Sequence, residues 1–428
     1  MPLRVMIKAA EKPIPDFHQM RDALGGCTVL LTMSRNVALL LLAISTLLIL
    51  PIFVLAMGTF VPGIPYLGTV TLPHFTGRPS QLFLLVVLGL ICAYVARKHG
   101  LHTSSSILLL IGSVTAVGAL VVFLGHAKVA WDNNVSLNLL ATLHPRNYWE
   151  GASPDETITY THADEKPLKM DIYRPARLSS TPAPIVVYMH GGGWVGNGRG
   201  TQAANLRWFA EQGYLVVSPE YQLATPARPT WNTAWPQLLC AMSWIAKHAR
   251  HYNADSSRIY AFGESAGGAL ALTTSYAAAS GISSPCSHKP LRIRAVAANV
   301  PAVDLHTFYN NHDPMLGDPS REMIEQYLGG RPSEHPDRVR YVSAAHYASM
   351  QSPPTLIFLS ENDRLVPIEG ARVFVNHATQ VGVNVRTIVF PWADHSLSVQ
   401  YHSVANQTML QLMLKHFEKN GRDTLAPG

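Results

Sequence analysis

Charge is scarce in this chain. Asp, Glu, Lys and Arg make up 14 % of its 428 residues, well under the roughly 25 % of an ordinary soluble domain, and the mean hydropathy is +0.11. So few charges cannot solvate a body of this length, so part of the chain must face something other than water. Cysteine is also sparse. Cys27, Cys92, Cys240 and Cys286 form no C-x-x-C and no zinc-like spacing, which argues against a metal framework. No H-E-x-x-H accompanies the His248/His251 pair, which reads as a solvated helix face. Repeats and low-complexity tracts are missing. A basic face for nucleic acid is missing too: residues 151–428 hold 23 Lys/Arg against 22 Asp/Glu, and all but one unit of the net charge of +6 comes from residues 1–150, with ten against five.

What the chain has is long apolar runs. Val37 to Met57 is 21 residues without a charge, enough to cross a bilayer as a helix. A cleaved signal peptide is the competing reading, but the run starts late, is too long and lacks a small-x-small cleavage site. Gln81 to Ala96 is a shorter run ending on Arg97-Lys98-His99, and Ser104 to Leu124 is again uncharged. The expected organisation is a basic tail over residues 1–36, a three-helix transmembrane region over 37–125 with a Gly/Pro-rich loop at Gly58–Ser80, and a linker over 126–150. Basic residues in the tail and at Arg97-Lys98 put both inside, so three crossings place residues 126 onward on the extracytoplasmic side. If the short second run does not span, that side is inverted.

From about Thr157 the pattern changes to strands alternating with helices. Thr157–Tyr160 and Leu168–Tyr173 alternate as antiparallel edge strands do, and Ile185–Met189 and Tyr214–Val217 are continuous apolar strands of the buried type. Trp235–His248 reads as a helix, further strands follow at Arg258–Phe262, Ala295–Ala298, Thr355–Leu359 and Arg386–Phe390, and a helix closes at Ser403–His416. The expected fold class is α/β, a mainly parallel sheet flanked by helices over residues 151–428.

The chemistry gathers at strand ends. Gly263-Glu264-Ser265-Ala266-Gly267 follows an apolar strand and opens a small-residue helix, the strand–G-x-S-x-G–helix pattern that lifts one hydroxyl above a sheet. His190-Gly191-Gly192-Gly193-Trp194 follows another strand, where glycines let backbone N–H groups approach a developing oxyanion. A serine hydroxyl needs a base, and the base an orienting acid, in the order Ser, acid, His along the chain. Asp363 and His395 stand on the required loops. Glu361 is the rival acid, being nearer its strand end. Asp394 adjoins the base and reads as a turn residue; His402 comes too late, and His346 and His377 follow no strand.

From Thr157 to His416 the chain resembles the hormone-sensitive-lipase-like branch of the α/β-hydrolases, close to bacterial carboxylesterases and feruloyl-esterase-like members. The resemblance rests on His190-Gly-Gly-Gly-Trp194, Glu220-Tyr221-Gln-Leu223, Asp255-Ser-Ser-Arg258, Gly263-Glu-Ser-Ala-Gly-Gly268, Asp363-Arg-Leu-Val-Pro367 and His395. It implies Ser265 as nucleophile, His395 as general base and then acid, Asp363 as orienter, and the N–H groups of Gly192, Gly193 and Ala266 as oxyanion donors. Ser360 stands where a glycine is usual, His395-Ser396-Leu397 replaces His-Gly-Phe, and the long cap before the glycine triplet is missing. Leu305–His346, with Phe308, Tyr309, Tyr327 and Tyr341, is the candidate lid or substrate wall. With the domain outside, Cys240 and Cys286 are a candidate disulfide, since consecutive helices in such folds often lie side by side. Asn134-Val-Ser and Asn406-Gln-Thr fit the glycosylation pattern.

The expectation is a membrane-anchored serine hydrolase that cleaves carboxylic esters of short to medium acyl chains through an acyl-enzyme, with no cofactor. Its partners are then a small-molecule or lipid ester and the membrane itself. An acyltransferase, amidase or peptidase would use the same triad, and an idle binding domain would keep the fold without the chemistry.

Overall fold

The computed structural model describes residues 34–61, 64, 66–176 and 179–421. Most of the basic N-terminal tail lies outside the described residues. Four helices come first: α1 (Arg35–Phe60), α2 (Leu67–Gly77), α3 (Pro79–Lys98) and α4 (His102–Asp132). Of these α1, α3 and α4 are each long and apolar enough to cross a membrane. Their apolarity runs all round, as a helix solvated by lipid requires. Small residues let them close on one another: a Cβ on Gly89 would lie 2.8 Å from Ile49, and one on Gly112 2.7 Å from Leu90. The segment Gly58–Ser80, expected to be a loop, contains α2, which keeps Pro73 inside it. Thr71 and Thr76 donate to carbonyls four residues back within it.

At 31 residues α4 is about 46 Å long by its rise per residue, against a hydrocarbon core of about 30 Å. Its last turns leave the bundle and enter the second part of the chain. After a 3₁₀ turn at Ala141–Leu143, that part runs β1 (Glu156–Ala163), β2 (Lys166–Tyr173), β3 (Ala183–Met189), α5 (Ala203–Glu211), β4 (Leu215–Pro219), α6 (Ala234–His248), β5 (Ala254–Glu264) and α7 (Ala266–Ala279). It continues through β6 (Ile293–Asn299), α8 (Leu305–Tyr309), α9 (Gly317–Leu328), α10 (Pro336–Val342), α11 (Ala344–Tyr347), β7 (Thr355–Ser360), α12 (Ile368–Gln380), β8 (Val385–Phe390) and α13 (Val404–Gly421).

The strands form one eight-stranded sheet in the order β1-β2-β4-β3-β5-β6-β7-β8. Pairing is antiparallel for β1/β2 and β2/β4 and parallel from there on. Each expected strand is present, and the parallel ones are continuous apolar runs because helices cover both faces. One face packs Ile185, Val187 and Ile259 against α6 and α7; the other packs Val186, Tyr188 and Phe262 against α5 and α13. The end of α4 joins that second layer through Ala130. Next to it, Gln411 and Lys415 of α13 donate to the carbonyls of Ser136 and Asn134 at 2.7 and 2.6 Å.

A disulfide joins Cys240 on α6 to Cys286 beyond α7. Asn406, one of the two glycosylation patterns, is buried and donates to Asn205 and to the Tyr401 carbonyl, so in the folded chain it is no acceptor for a sugar.

Candidate active site

All parallel strands end on one side of the sheet, and their loops assemble the site. Ser265 leaves β5 with φ +54° and ψ −125°, a strained turn that aims its side chain off the sheet. The turn closes because its neighbours are glycine: a Cβ on Gly263 would strike the Gly267 carbonyl, and one on Gly267 the carbonyls of Met189 and His190. The Ser265 N–H donates to the Asn299 carbonyl at 2.9 Å, tying the turn to β6.

Ser265, Asp363 and His395 come together from loops 98 and 32 residues apart (363 − 265 and 395 − 363). His395 Nε2 lies 3.0 Å from Ser265 Oγ, and His395 Nδ1 lies 2.8 Å from Asp363 Oδ2. The Asp363 side chain is 3 % exposed, and its other oxygen accepts the N–H groups of Leu365 and Val366 at 3.0 and 2.8 Å. Burial pushes the His395 pKa down, but the charge and hydrogen bond of Asp363, with Asp394 and Glu264 behind them, more than offset it, and the net shift is upward. This geometry suits proton transfer from a hydroxyl to an imidazole held in one tautomer.

Glu361 turns away from His395: it accepts the N–H of Trp392 at 3.0 Å and so braces the base loop. Asp394 is buried and accepts the Arg364 N–H at 3.1 Å; burial and the neighbouring Asp363 raise its pKa to about 6. His377 bonds the Ala345 carbonyl and His402 lies edge-on to His144.

Gly192 and Gly193 line the cavity beside Ser265. Their φ values of +107° and +60° are open to glycine, and a Cβ on Gly192 would strike the Gly196 carbonyl. Ala266 follows Ser265 as the first residue of α7. The triplet is braced from below: His190 lies flat on Tyr221, centroids 4.3 Å apart, and burial lowers its pKa to about 4, leaving it neutral at pH 7. Trp194 stacks on Tyr327 at 4.5 Å.

The cavity measures about 180 Å³. Of the expected wall Leu305–His346, Phe308 and Met323 line it, whereas Tyr327 and Tyr341 pack elsewhere, Tyr341 against Trp231 and Trp235. Two residues escaped sequence reasoning. Glu264, the variable position of G-x-S-x-G, is a buried carboxyl accepting from Gln202, Tyr188 and Tyr148, and burial raises its pKa. Tyr148 comes from the segment read as a linker, which is instead fixed to the domain, its N–H donating to the Val399 carbonyl at 2.9 Å. The aromatic pair Tyr148-Trp149 was the signal available for it. Among the described residues no cluster of His, Cys, Asp or Glu is arranged to hold a metal ion.

Comparison with known proteins covers much of the sheet domain. A family model described as BD-FAE matches residues 170–377, which include Gly192, Gly193, Ser265 and Asp363. Esterase LipC of Mycobacterium tuberculosis is 25 % identical over 243 residues, 56 % of this chain and 59 % of that protein. LipM of the same organism, a probable carboxylic ester hydrolase, is 26 % identical over 245 residues, 54 % and 53 % of the two chains. The chain thus spans about half the length of the curated relatives it matches. Among solved structures, a thermophilic esterase from Thermogutta terrifontis with butyrate bound superposes with a TM-score of 0.51 at 24 % identity, covering 65 % of this chain and 97 % of that one. The same esterase phosphonylated by sarin gives 0.52 at 24 %, covering 67 % and 99 %. The likeness to the solved structures is one of fold.

Proposed function

We propose that the chain, which a BD-FAE model matches over residues 170–377 and which is similar to esterases over about half its length, hydrolyses carboxylic esters through an acyl-enzyme on Ser265. The observation that carries this reading is the unbroken hydrogen-bonded series Asp363–His395–Ser265. His395 Nε2 takes the hydroxyl proton as Ser265 Oγ attacks the ester carbonyl; Asp363 holds the imidazole and balances its charge. The oxyanion rests on the N–H groups of Gly192, Gly193 and Ala266. Proton return from His395 releases the alcohol, and water attacks the acyl-enzyme by the same route in reverse.

The cavity of about 180 Å³, below the roughly 300–1,000 Å³ of ordinary ligand pockets, supports short to medium acyl groups. The helices α1, α3 and α4 anchor the chain in a membrane as three crossings. Arg97 and Lys98 end α3 at the far side from the domain, which supports a cytoplasmic turn and an extracytoplasmic site. The Cys240–Cys286 disulfide agrees with an oxidising compartment.

The full-length protein in detergent micelles should release p-nitrophenol from p-nitrophenyl butyrate. Ser265→Ala should lower kcat by about 10⁴-fold or more and abolish labelling by a fluorophosphonate, a relative of the reagent that modifies the Thermogutta esterase. Equal rates in the two proteins would refute the reading.

A further inference from the structure

The catalytic end of the sheet is also the end that meets the apolar helices. His126 of α4 donates to the Pro391 carbonyl just past β8, at 3.1 Å. Phe60, the last residue of α1, lies edge-on to Trp392 at 6.4 Å, and a Cβ on Gly125 would stand 2.6 Å from the same indole. The base loop is therefore seated on the bundle three residues before His395. The acid loop meets α2: Thr69 Oγ1 donates to Asp313 Oδ2 at 2.7 Å, Asp313 faces Arg364 at 3.5 Å, and the Arg364 guanidinium packs on Gly68. A third wall is tied to α3, whose first residues Ser80 and Gln81 donate to the Thr142 carbonyl at 3.0 and 2.7 Å. That same connector carries Tyr148 into the cavity.

The base loop is thus fixed to the ends of α1 and α4, the acid loop to α2 and the Tyr148 connector to the start of α3, which sets the cavity at the level where hydrocarbon gives way to headgroups. The connector that carries Tyr148 is apolar on its outside: Leu139, Leu140 and Trp149 are 55, 82 and 47 % exposed. Side chains of this kind, next to a helix end, suit burial in a bilayer interface rather than contact with water. The cavity of about 180 Å³ holds the ester group and the first carbons of an acyl chain, so the remainder of a longer chain lies outside the mouth.

We propose that the site takes its substrate from the bilayer: an acylated amphiphile dissolved in the membrane, presented to Ser265 across the Leu139–Trp149 surface. The proposal rests on the ester-hydrolase reading above and names the class of ester and its route.

Full-length protein reconstituted in phosphatidylcholine vesicles tests it with two esters. p-Nitrophenyl palmitate partitions into the bilayer, whereas p-nitrophenyl butyrate stays largely in water. Adding ten times more phosphatidylcholine at fixed palmitate ester should lower the palmitate rate about tenfold, because its mole fraction in the bilayer falls, and leave the butyrate rate alone. The double variant Leu139→Asp/Leu140→Asp should lower the palmitate-to-butyrate rate ratio about fivefold or more. A palmitate rate that follows bulk concentration, an unchanged ratio, or butyrate hydrolysis with no palmitate hydrolysis overturns the bilayer route and leaves the hydrolase reading standing. Failure to cleave either ester, with no fluorophosphonate labelling of Ser265, overturns both. Should the double variant lose both activities through misfolding, the dilution series on the unaltered protein decides.

Discussion

The two regions of this molecule bury apolar side chains under different rules. Within the helical region threonines are satisfied at home: Thr46, Thr71, Thr76 and Thr115 each donate to the carbonyl four residues back. The outer surface there is as apolar as the seams, with Leu47 74 % exposed. In the sheet domain polar groups reach across the chain, and the bond from His395 to Ser265 spans 130 residues. The first region is specified by composition and by a few small residues, the second by single positions. A change at a specified position should therefore cost far more than a change of composition.

The largest test of that contrast is Asp363→Asn. It preserves the shape of the site but spoils the imidazole tautomer, and kcat on p-nitrophenyl butyrate should fall about 10⁴-fold; a loss under tenfold would remove Asp363 from its role. Next comes the disulfide. Its 46-residue separation gives a chain-entropy contribution of about 4 kcal/mol, so Cys286→Ser should lower the unfolding midpoint of the sheet domain while the helical signal of the bundle melts where it did. Gly112→Leu strikes the bundle instead. Overpacking against Leu90 and Ile49 should cost about 2 kcal/mol, read as unfolding of the bundle at lower denaturant, with butyrate hydrolysis in the domain kept within about twofold of its starting rate.

The smallest effect is one of pH. The His395 pKa is raised, and only the neutral imidazole can accept the Ser265 proton, so kcat/KM should rise with pH along a limb centred above 6.5, the ordinary histidine value. Asp394 contributes to that rise, favouring the protonated ring. Asp394→Asn should then move the limb to lower pH and leave the plateau within about twofold. A limb that stays in place would show that Asp394 acts only by holding the Arg364 N–H.

Much of this was legible in the sequence because it depends on local chemistry. Continuous apolar runs gave the parallel strands, and the glycines around Ser265 announced the turn that only they permit. The order serine, acid, histidine narrowed the acid to one loop with Glu361 as rival to Asp363, and the structure sets Asp363 against His395 and turns Glu361 to the Trp392 amide. What escaped depends on distant partners. α2 was hidden because Gly and Pro bracket and interrupt it, and its hold on Asp313 lies 244 residues away in sequence. Tyr148 was hidden because one aromatic in a polar connector carries no period. Glu264 was hidden because its three donors come from three separate segments.

The clasp between α13 and the end of α4 has a consequence for the order in which the molecule is made. Lys415 and Gln411 reach back 281 and 275 residues to the carbonyls of Asn134 and Ser136. On a chain synthesised from its N-terminus, α4 emerges well before α13, so Asn134 and Ser136 wait without Lys415 and Gln411 until the strands of the sheet have appeared. So wide a loop closure is entropically slow. The helical bundle can close long before the domain it carries is locked in place.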